Sequence, residues 1–158
     1  MILAILQARV SSTRLPGKVL KNIIDKPMLL RQIERIGRAK LIDRLVVATS
    51  LDMSDNPIEM LCKENDIAYY RGSLDDVLDR FYQASISFNA DHIVRLTGDC
   101  PLIDPQLIDE VISFHIQGRY DYSSNNFECT FPDGLDTEVF IYKCLEQAWK
   151  EAVLPSQR

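Results

Sequence analysis

Residues Ile2 to Ala8 form a nearly continuous apolar run, and Arg9 ends it abruptly. A strand with one wet face alternates apolar and polar residues, so an unbroken run of this length belongs to a strand covered on both sides. That arrangement requires helices above and below a sheet, and the rest of the sequence supplies them. Apolar residues at Met28, Leu29, Ile33 and Ile36 fall at helical spacing behind Pro27, which is expected at the first helical position. Arg44 to Ser50 is a predicted second strand. Ser54 is the expected N-cap of a helix that carries Pro57, Ile58, Leu61 and Cys62. A third strand is predicted from Ile67 to Arg71. A helix with Val77, Leu78, Phe81, Tyr82 and Ile86 on one face then follows Ser73, Asp75 and Asp76. His92 to Leu96 is a fourth strand, and Asp104 caps a helix striped by Leu107, Ile108, Val111, Ile112 and His115. Tyr120 to Asn126 and Leu135 to Ile141 are further expected strands, before a last helix with Leu145, Ala148, Trp149 and Ala152. Strands separated by helices imply right-handed crossovers, hence an α/β fold with a mostly parallel sheet flanked by helices. A single domain over residues 1–158 is expected, with no internal repeat and no linker.

Composition narrows the function classes. Hydrophobic residues make up 46% of the 158 and charged residues 26%, which excludes a disordered chain. No apolar run approaches the roughly 20 residues of a bilayer span, so no membrane partner is expected. Four cysteines without CxxC spacing indicate neither a zinc site nor a disulfide scaffold, and free thiols point to the cytoplasm. A net charge of −5 disfavours nucleic acid as a partner, because affinity for a polyanion comes chiefly from neutralising its phosphates. The charge is unevenly placed, however. No acid precedes Asp25, while Arg9, Arg14, Lys18 and Lys21 all lie before it. A local basic loop in an acidic protein suits a small anion.

Ligands of open parallel sheets bind outside the carboxyl ends of the strands. Two such ends carry chemistry here. The first strand runs into Arg9-Val10-Ser11-Ser12-Thr13-Arg14-Leu15-Pro16-Gly17-Lys18, and the fourth into Thr97-Gly98-Asp99-Cys100-Pro101-Leu102-Ile103-Asp104. The first end is cationic and rich in donors, and the second presents a carboxylate. Together they fit a nucleoside triphosphate with a divalent cation. Neither GxxxxGK[ST] nor GxGxxG is present, which weakens kinase, GTPase and dinucleotide readings. Two histidines make a Ser-His-Asp arrangement improbable: His115 continues an apolar helical stripe, and His92 has no evident partner.

The stretch Leu6 to Lys18 closely resembles the opening motif of the CMP-sugar synthetases, the cytidylyltransferases for acylneuraminate and 3-deoxy-manno-octulosonate, and within them the spore-coat polysaccharide branch. Lys26-Pro27-Met28-Leu29, Arg71-Gly72-Ser73, Asp76 to Arg80, Arg95 to Ile103 and Pro132 to Phe140 match in order and at the expected spacing. The resemblance implies a nucleotide-diphospho-sugar transferase fold, with transfer of CMP from CTP to a sialic-acid-like or related acidic or modified sugar and release of pyrophosphate, in the biosynthesis of surface polysaccharide or glycoconjugate. It implies that Arg9, Arg14 and Lys18 grip the triphosphate, with Arg9 and Lys18 acting catalytically and Ala8 and Ser11 completing the loop. Arg80 and Thr97 are then expected by the base or ribose, Asp99 on Mg2+, and Asp136 and Glu138 on the sugar. A homodimer is the implied assembly. Sugar-1-phosphate nucleotidyltransferases open with a Gly-rich loop where this chain has Ala8-Arg9-Val10-Ser11. Family members run longer and add a second metal-binding aspartate in a pattern like VDTPED, which is absent here. The alternative expectation is therefore a truncated, non-catalytic remnant that binds nucleotide or dimerises.

Overall fold

The computed structural model describes residues 1–11, 15–128 and 130–158. Strand β1 (Ile2–Gln7) is followed by a 3-10 turn at Lys18–Leu20 and a small hairpin of β2 (Asn22–Ile23) and β3 (Lys26–Pro27). Then come α1 (Met28–Ile36), β4 (Arg44–Ser50), α2 (Asn56–Glu64), β5 (Tyr69–Gly72), α3 (Val77–Ser87), β6 (His92–Thr97) and α4 (Pro105–Gly118). The chain continues through β7 (Tyr122–Ser124), β8 (Glu138–Ile141) and α5 (Tyr142–Glu151).

Six strands form one sheet in the order β5-β4-β1-β6-β8-β7. β5, β4, β1 and β6 are mutually parallel, whereas β8 runs antiparallel to β6 and β7 antiparallel to β8. Central β1 has Leu3, Ala4, Ile5 and Leu6 fully buried, as its unbroken apolar run requires. Alternate residues feed two separate cores. On one face Ala4, Leu6, Val94 and Leu96 meet Leu29 and Ile36 of α1, Ile58 of α2 and the Leu107–Ile112 stripe of α4. On the other, Leu3, Ile5 and Ile93 meet Phe81, Tyr82 and Ala84 of α3 and Leu145 of α5. Tyr82 stacks on Trp149 at 4.3 Å between ring centroids, and the indole N–H donates to Asp79 Oδ1 at 2.8 Å. Fully burying one such apolar side chain contributes about 1.5–3 kcal/mol, so these two cores account for the sheet's position between its helices.

Several local expectations change. Pro27 stands just outside α1, at its N-cap position, because it pairs with Asn22 as the last residue of β3. Asp52, and not Ser54, accepts the first backbone N–H: its carboxylate takes Ser54 N at 2.8 Å and starts a 3-10 turn ahead of α2. The third strand is Tyr69–Gly72, shifted towards the site, and the last two strands are shorter than their apolar patterns. Asp104 does cap its helix, at 2.9 Å to Gln106 N, and of Ser73, Asp75 and Asp76 it is Asp76 that caps α3, at 2.7 Å to Asp79 N. Cys62, Cys100 and Cys144 are free thiols, and Cys129 lies outside the described residues. Among the described residues no helix is long and apolar enough to cross a membrane.

Candidate active site

The chain runs from β1 outward to β4 and β5, then returns to β6 on the other side of β1. That reversal opens a crevice at the carboxyl ends of β1 and β6, the place where open parallel sheets take ligands. A cavity of about 370 Å3 occupies it, lined by Gln7, Ala8, Arg9 and Ser11 from the end of β1, by Lys18, by Arg95 and Thr97 of β6, and by Gly98 and Asp99 of the turn after β6.

Each wall has a structural cause. Gly17 sits at φ 69°, a left-handed conformation that costs a residue with a Cβ, and its N–H closes the basic loop by donating to Val10 O at 2.9 Å. Val10 N in turn donates to Asp55 Oδ1 at 2.7 Å, and the other oxygen of this wholly buried carboxylate accepts Ser50 N at 3.1 Å. Asp55 thereby ties the ends of β1 and β4 together. Opposite, Gly98 N donates to Gln7 O at 2.7 Å, so the turn after β6 rides directly on β1. A Cβ at Gly98 would stand 2.7 Å from that oxygen and 3.0 Å from the Ala8 Cβ. Gln32 of α1 clasps the same turn, donating to Thr97 O at 2.7 Å and accepting Cys100 N at 3.3 Å.

These supports bring the two chemically loaded strand ends into contact. Lys18 Nζ stands 2.6 Å from Asp99 Oδ2. The ammonium holds the Asp99 carboxyl below the usual carboxylate range, helped by the Thr97 hydroxyl and opposed by burial, so it stays ionised at neutral pH. Burial pushes the neighbouring Cys100 thiol up, which argues against a nucleophilic role.

The other expected residues fall into three groups. Ala8, Arg9, Ser11 and Thr97 line the cavity with Lys18 and Asp99. Arg14 lies outside the described residues. Arg80 is 0% exposed and does not line the cavity: Nη1 donates to Ser73 O at 2.6 Å, while Nε and Nη2 have no partner among the described residues. Burial and the nearby Arg9 cation both lower its pKa. Arg9 reaches the same loop, with Nη1 3.4 Å from Leu74 O. Asp136 is exposed beside Cys100, and Glu138 takes Arg95 Nη1 at 2.8 Å.

Arg95, Gln32 and Asp55 were not singled out in the sequence. Gln32 left a signal, a polar residue in register with buried Leu29 and Ile36 on one helical face. His92 does have a partner: its Nδ1 lies 3.2 Å from Nε2 of wholly buried His115, whose Nδ1 meets Ser123 Oγ at 3.1 Å.

The sequence model of the cytidylyltransferase family matches residues 3–153. The chain belongs to the cytidylyltransferase family. It is 41% identical over 157 residues to the uncharacterized protein MJ1063 of Methanocaldococcus jannaschii, covering 99% of this chain and 63% of that one. It is 39% identical to the spore coat polysaccharide biosynthesis protein SpsF of Bacillus subtilis, covering 77% of this chain and 52% of SpsF. With the 3-deoxy-manno-octulosonate cytidylyltransferase of Geobacter sulfurreducens the identity is 36%, covering 71% of this chain and 44% of that enzyme. The chain therefore spans between 44% and 63% of the length of these relatives. Its fold superposes on a cytidylyltransferase structure from Leptospira borgpetersenii with a TM-score of 0.94 at 37% identity, over 99% of this chain and 67% of that one. A structure of CMP:2-keto-3-deoxy-manno-octonic acid synthetase complexed with CTP shares the fold, with a TM-score of 0.77 at 16% identity, over 99% of this chain and 80% of that one. The fold is the Rossmann-like nucleotide-diphospho-sugar transferase fold of these cytidylyltransferases.

Proposed function

We propose that this chain binds CTP in the β1–β6 crevice and serves transfer of CMP from CTP to a sugar, with release of pyrophosphate. The observation that carries the reading is the convergence of Lys18 and Asp99 at 2.6 Å on a donor-rich cavity. A sugar hydroxyl attacks the α-phosphorus and pyrophosphate leaves, so catalysis rests on alignment and on neutralising charge that develops on the leaving group. Arg9 and Lys18 supply the positive charge, and the Ser11 hydroxyl supplies a further donor. Thr97, next to the floor of the cavity, is the nearest candidate for ribose or base. Arg80 acts on the base only through the Ser73–Leu74 backbone that it holds.

The residues fit magnesium in a restricted way. Among the described residues no three His, Cys, Asp or Glu side chains cluster as a metal cage. Mg2+ retains several waters and is commonly held by one or two carboxylates plus substrate phosphates, a demand that an ionised Asp99 beside a triphosphate site meets. Bound there, the ion would neutralise phosphate oxygens beside the Lys18 ammonium. The acceptor sugars named for the relatives, SpsF's polysaccharide role and 3-deoxy-manno-octulosonate, favour a sugar of surface glycans.

The lone carboxylate also favours a second reading, nucleotide binding without transfer. Thermal unfolding with CTP, GTP, UTP and ATP, each with Mg2+, tests the shared step. CTP at a hundredfold excess over its dissociation constant adds about 2.7 kcal/mol, and equal stabilisation by all four nucleotides would refute cytidine selectivity. CTP-dependent pyrophosphate release by the 158-residue chain then separates transfer from binding alone.

A further inference from the structure

Val10 stands between Arg9 and Ser11, which both line the crevice, while its own side chain packs against the core. Both of its backbone groups are held: Val10 O accepts Gly17 N at 2.9 Å, and Val10 N donates to Asp55 Oδ1 at 2.7 Å. Fixed at three points, Val10 sets the direction in which its two neighbours leave the end of β1. Asp55 reaches it from another part of the chain. It ends the 3-10 turn Met53–Asp55 and occupies the N-cap position of α2. A carboxylate there ordinarily accepts a backbone N–H from the first turn of its own helix, and Asp55 makes no such bond. It turns instead to Val10 and to Ser50, whose N–H reaches Oδ2 at 3.1 Å and whose hydroxyl donates to the same oxygen. Local rules are broken in this way chiefly at functional sites. Asp55 and Ser50 are both wholly buried, and neither lines the cavity. A buried carboxylate needs donors and opposite charge to offset its desolvation. Val10 and Ser50 supply the donors, and buried Arg80 supplies charge: burial and the Arg9 cation lower its pKa, whereas Asp55 and then Asp76 oppose them.

We infer that Asp55, supported by Ser50, is a positioning residue for the triphosphate: through Val10 N it aims Arg9 and Ser11 at the β- and γ-phosphates, and so sets how much more tightly the crevice takes a nucleoside triphosphate than a monophosphate. The inference rests on the CTP reading and adds to it the buried residue that governs the phosphate end. The Ser73–Leu74 backbone has its own support, Arg80 Nη1 on Ser73 O at 2.6 Å. Loosening Val10 therefore acts first on the phosphates.

Isothermal titration of the chain with CMP and with CTP, each with Mg2+ and without sugar, tests it through the ratio of the two dissociation constants. Asp55→Asn keeps the shape and one acceptor oxygen but sets an amide NH2 against the N–H of Val10 or of Ser50. It should cut the advantage of CTP over CMP by about tenfold, the loss expected when one charged hydrogen bond to phosphate is misaligned. Ser50→Ala keeps the carboxylate, removes one of its donors, and should cut the advantage by about threefold. Ser123→Ala, beside the His92–His115 pair, should leave the ratio as in the wild type. A merely structural role would lower both affinities in step, so an unchanged ratio in Asp55→Asn that circular dichroism shows to be folded overturns the inference. Should that variant not fold, an unchanged ratio in Ser50→Ala overturns it instead, as does an equal fall in Ser123→Ala. Wild-type protein that takes CTP no more tightly than CMP overturns the inference alone. Wild-type protein that takes neither nucleotide overturns the CTP reading and the inference with it.

Discussion

Strand β6 carries a polar cluster at each end, and the two are built to opposite purposes. At its carboxyl end Thr97, Gly98 and Asp99 meet Lys18 and Arg9 around a cavity of about 370 Å3. At its amino end His92, His115, Arg119, Tyr120 and Asp121 line a second cavity of about 290 Å3. In the second, both ring nitrogens of His115 are taken by His92 and Ser123, and the ring is wholly buried. In the first, an ammonium, a guanidinium and a carboxylate converge with donors to spare. Internal satisfaction marks a cluster that holds the fold, and surplus charge at a strand's carboxyl end marks one that holds a ligand.

The contrast can be broken from either side. The largest effect is expected for Lys18→Ala, which removes a cation from the leaving-group side. Pyrophosphate release should drop about 100-fold or more, by analogy with loss of one preorganised donor, while the unfolding midpoint barely moves. An unchanged rate would refute the assignment of Lys18. Next, Gln32→Leu leaves Thr97 O and Cys100 N unpaired in a buried turn, so urea denaturation should report a loss of about 1–3 kcal/mol, with weaker CTP binding. Stability lost without any change in CTP affinity would separate that turn from the site. Ser123→Ala strips His115 of one partner and should cost about 1 kcal/mol while leaving CTP affinity alone. A change in nucleotide affinity there would erase the distinction between the two ends.

The smallest effect is in pH dependence. Burial lowers the pKa of both His92 and His115 from the ordinary 6.5, with Asp91 opposing the shift on His92 and Asp121 on His115. The unfolded chain then binds more protons below pH 6.5, so the pair's contribution is present above that pH and is lost as pH falls towards the folded values. His92→Gln should flatten that slope in denaturation measured from pH 7 to pH 5, and an unaltered slope would show that the pair does not titrate on unfolding.

Where the sequence pattern succeeded, local physics decided. The β1 run, the Asp76 and Asp104 caps and the α4 stripe each follow from neighbours within a few residues. Ser54 failed as a cap because Asp52, two residues earlier, accepts Ser54's own backbone N–H and draws Ser54 into a 3-10 turn ahead of the helix. The contact of Glu138 with Arg95 was not legible, because it arises only from the antiparallel pairing of β8 with β6, which joins residues 43 apart in the chain. The same pairing made Arg95 part of the cavity. Arg80 sits within a matching motif, yet α3 turns it under the Ser73–Leu74 backbone and out of the cavity.

The order of amino acids alone determined the alternation of strands and helices, the family and the two strand ends able to meet a triphosphate. These depend on periodicity, caps and motifs that act over short spans. Tertiary structure alone decided that Lys18 and Asp99 touch, that Gln32 and Asp55 brace the walls, and which cations keep donors available for a ligand. Those outcomes depend on which side of β1 each returning strand takes. That choice rests on burying two helical layers at once, a sum over the whole sheet that no local stretch contains.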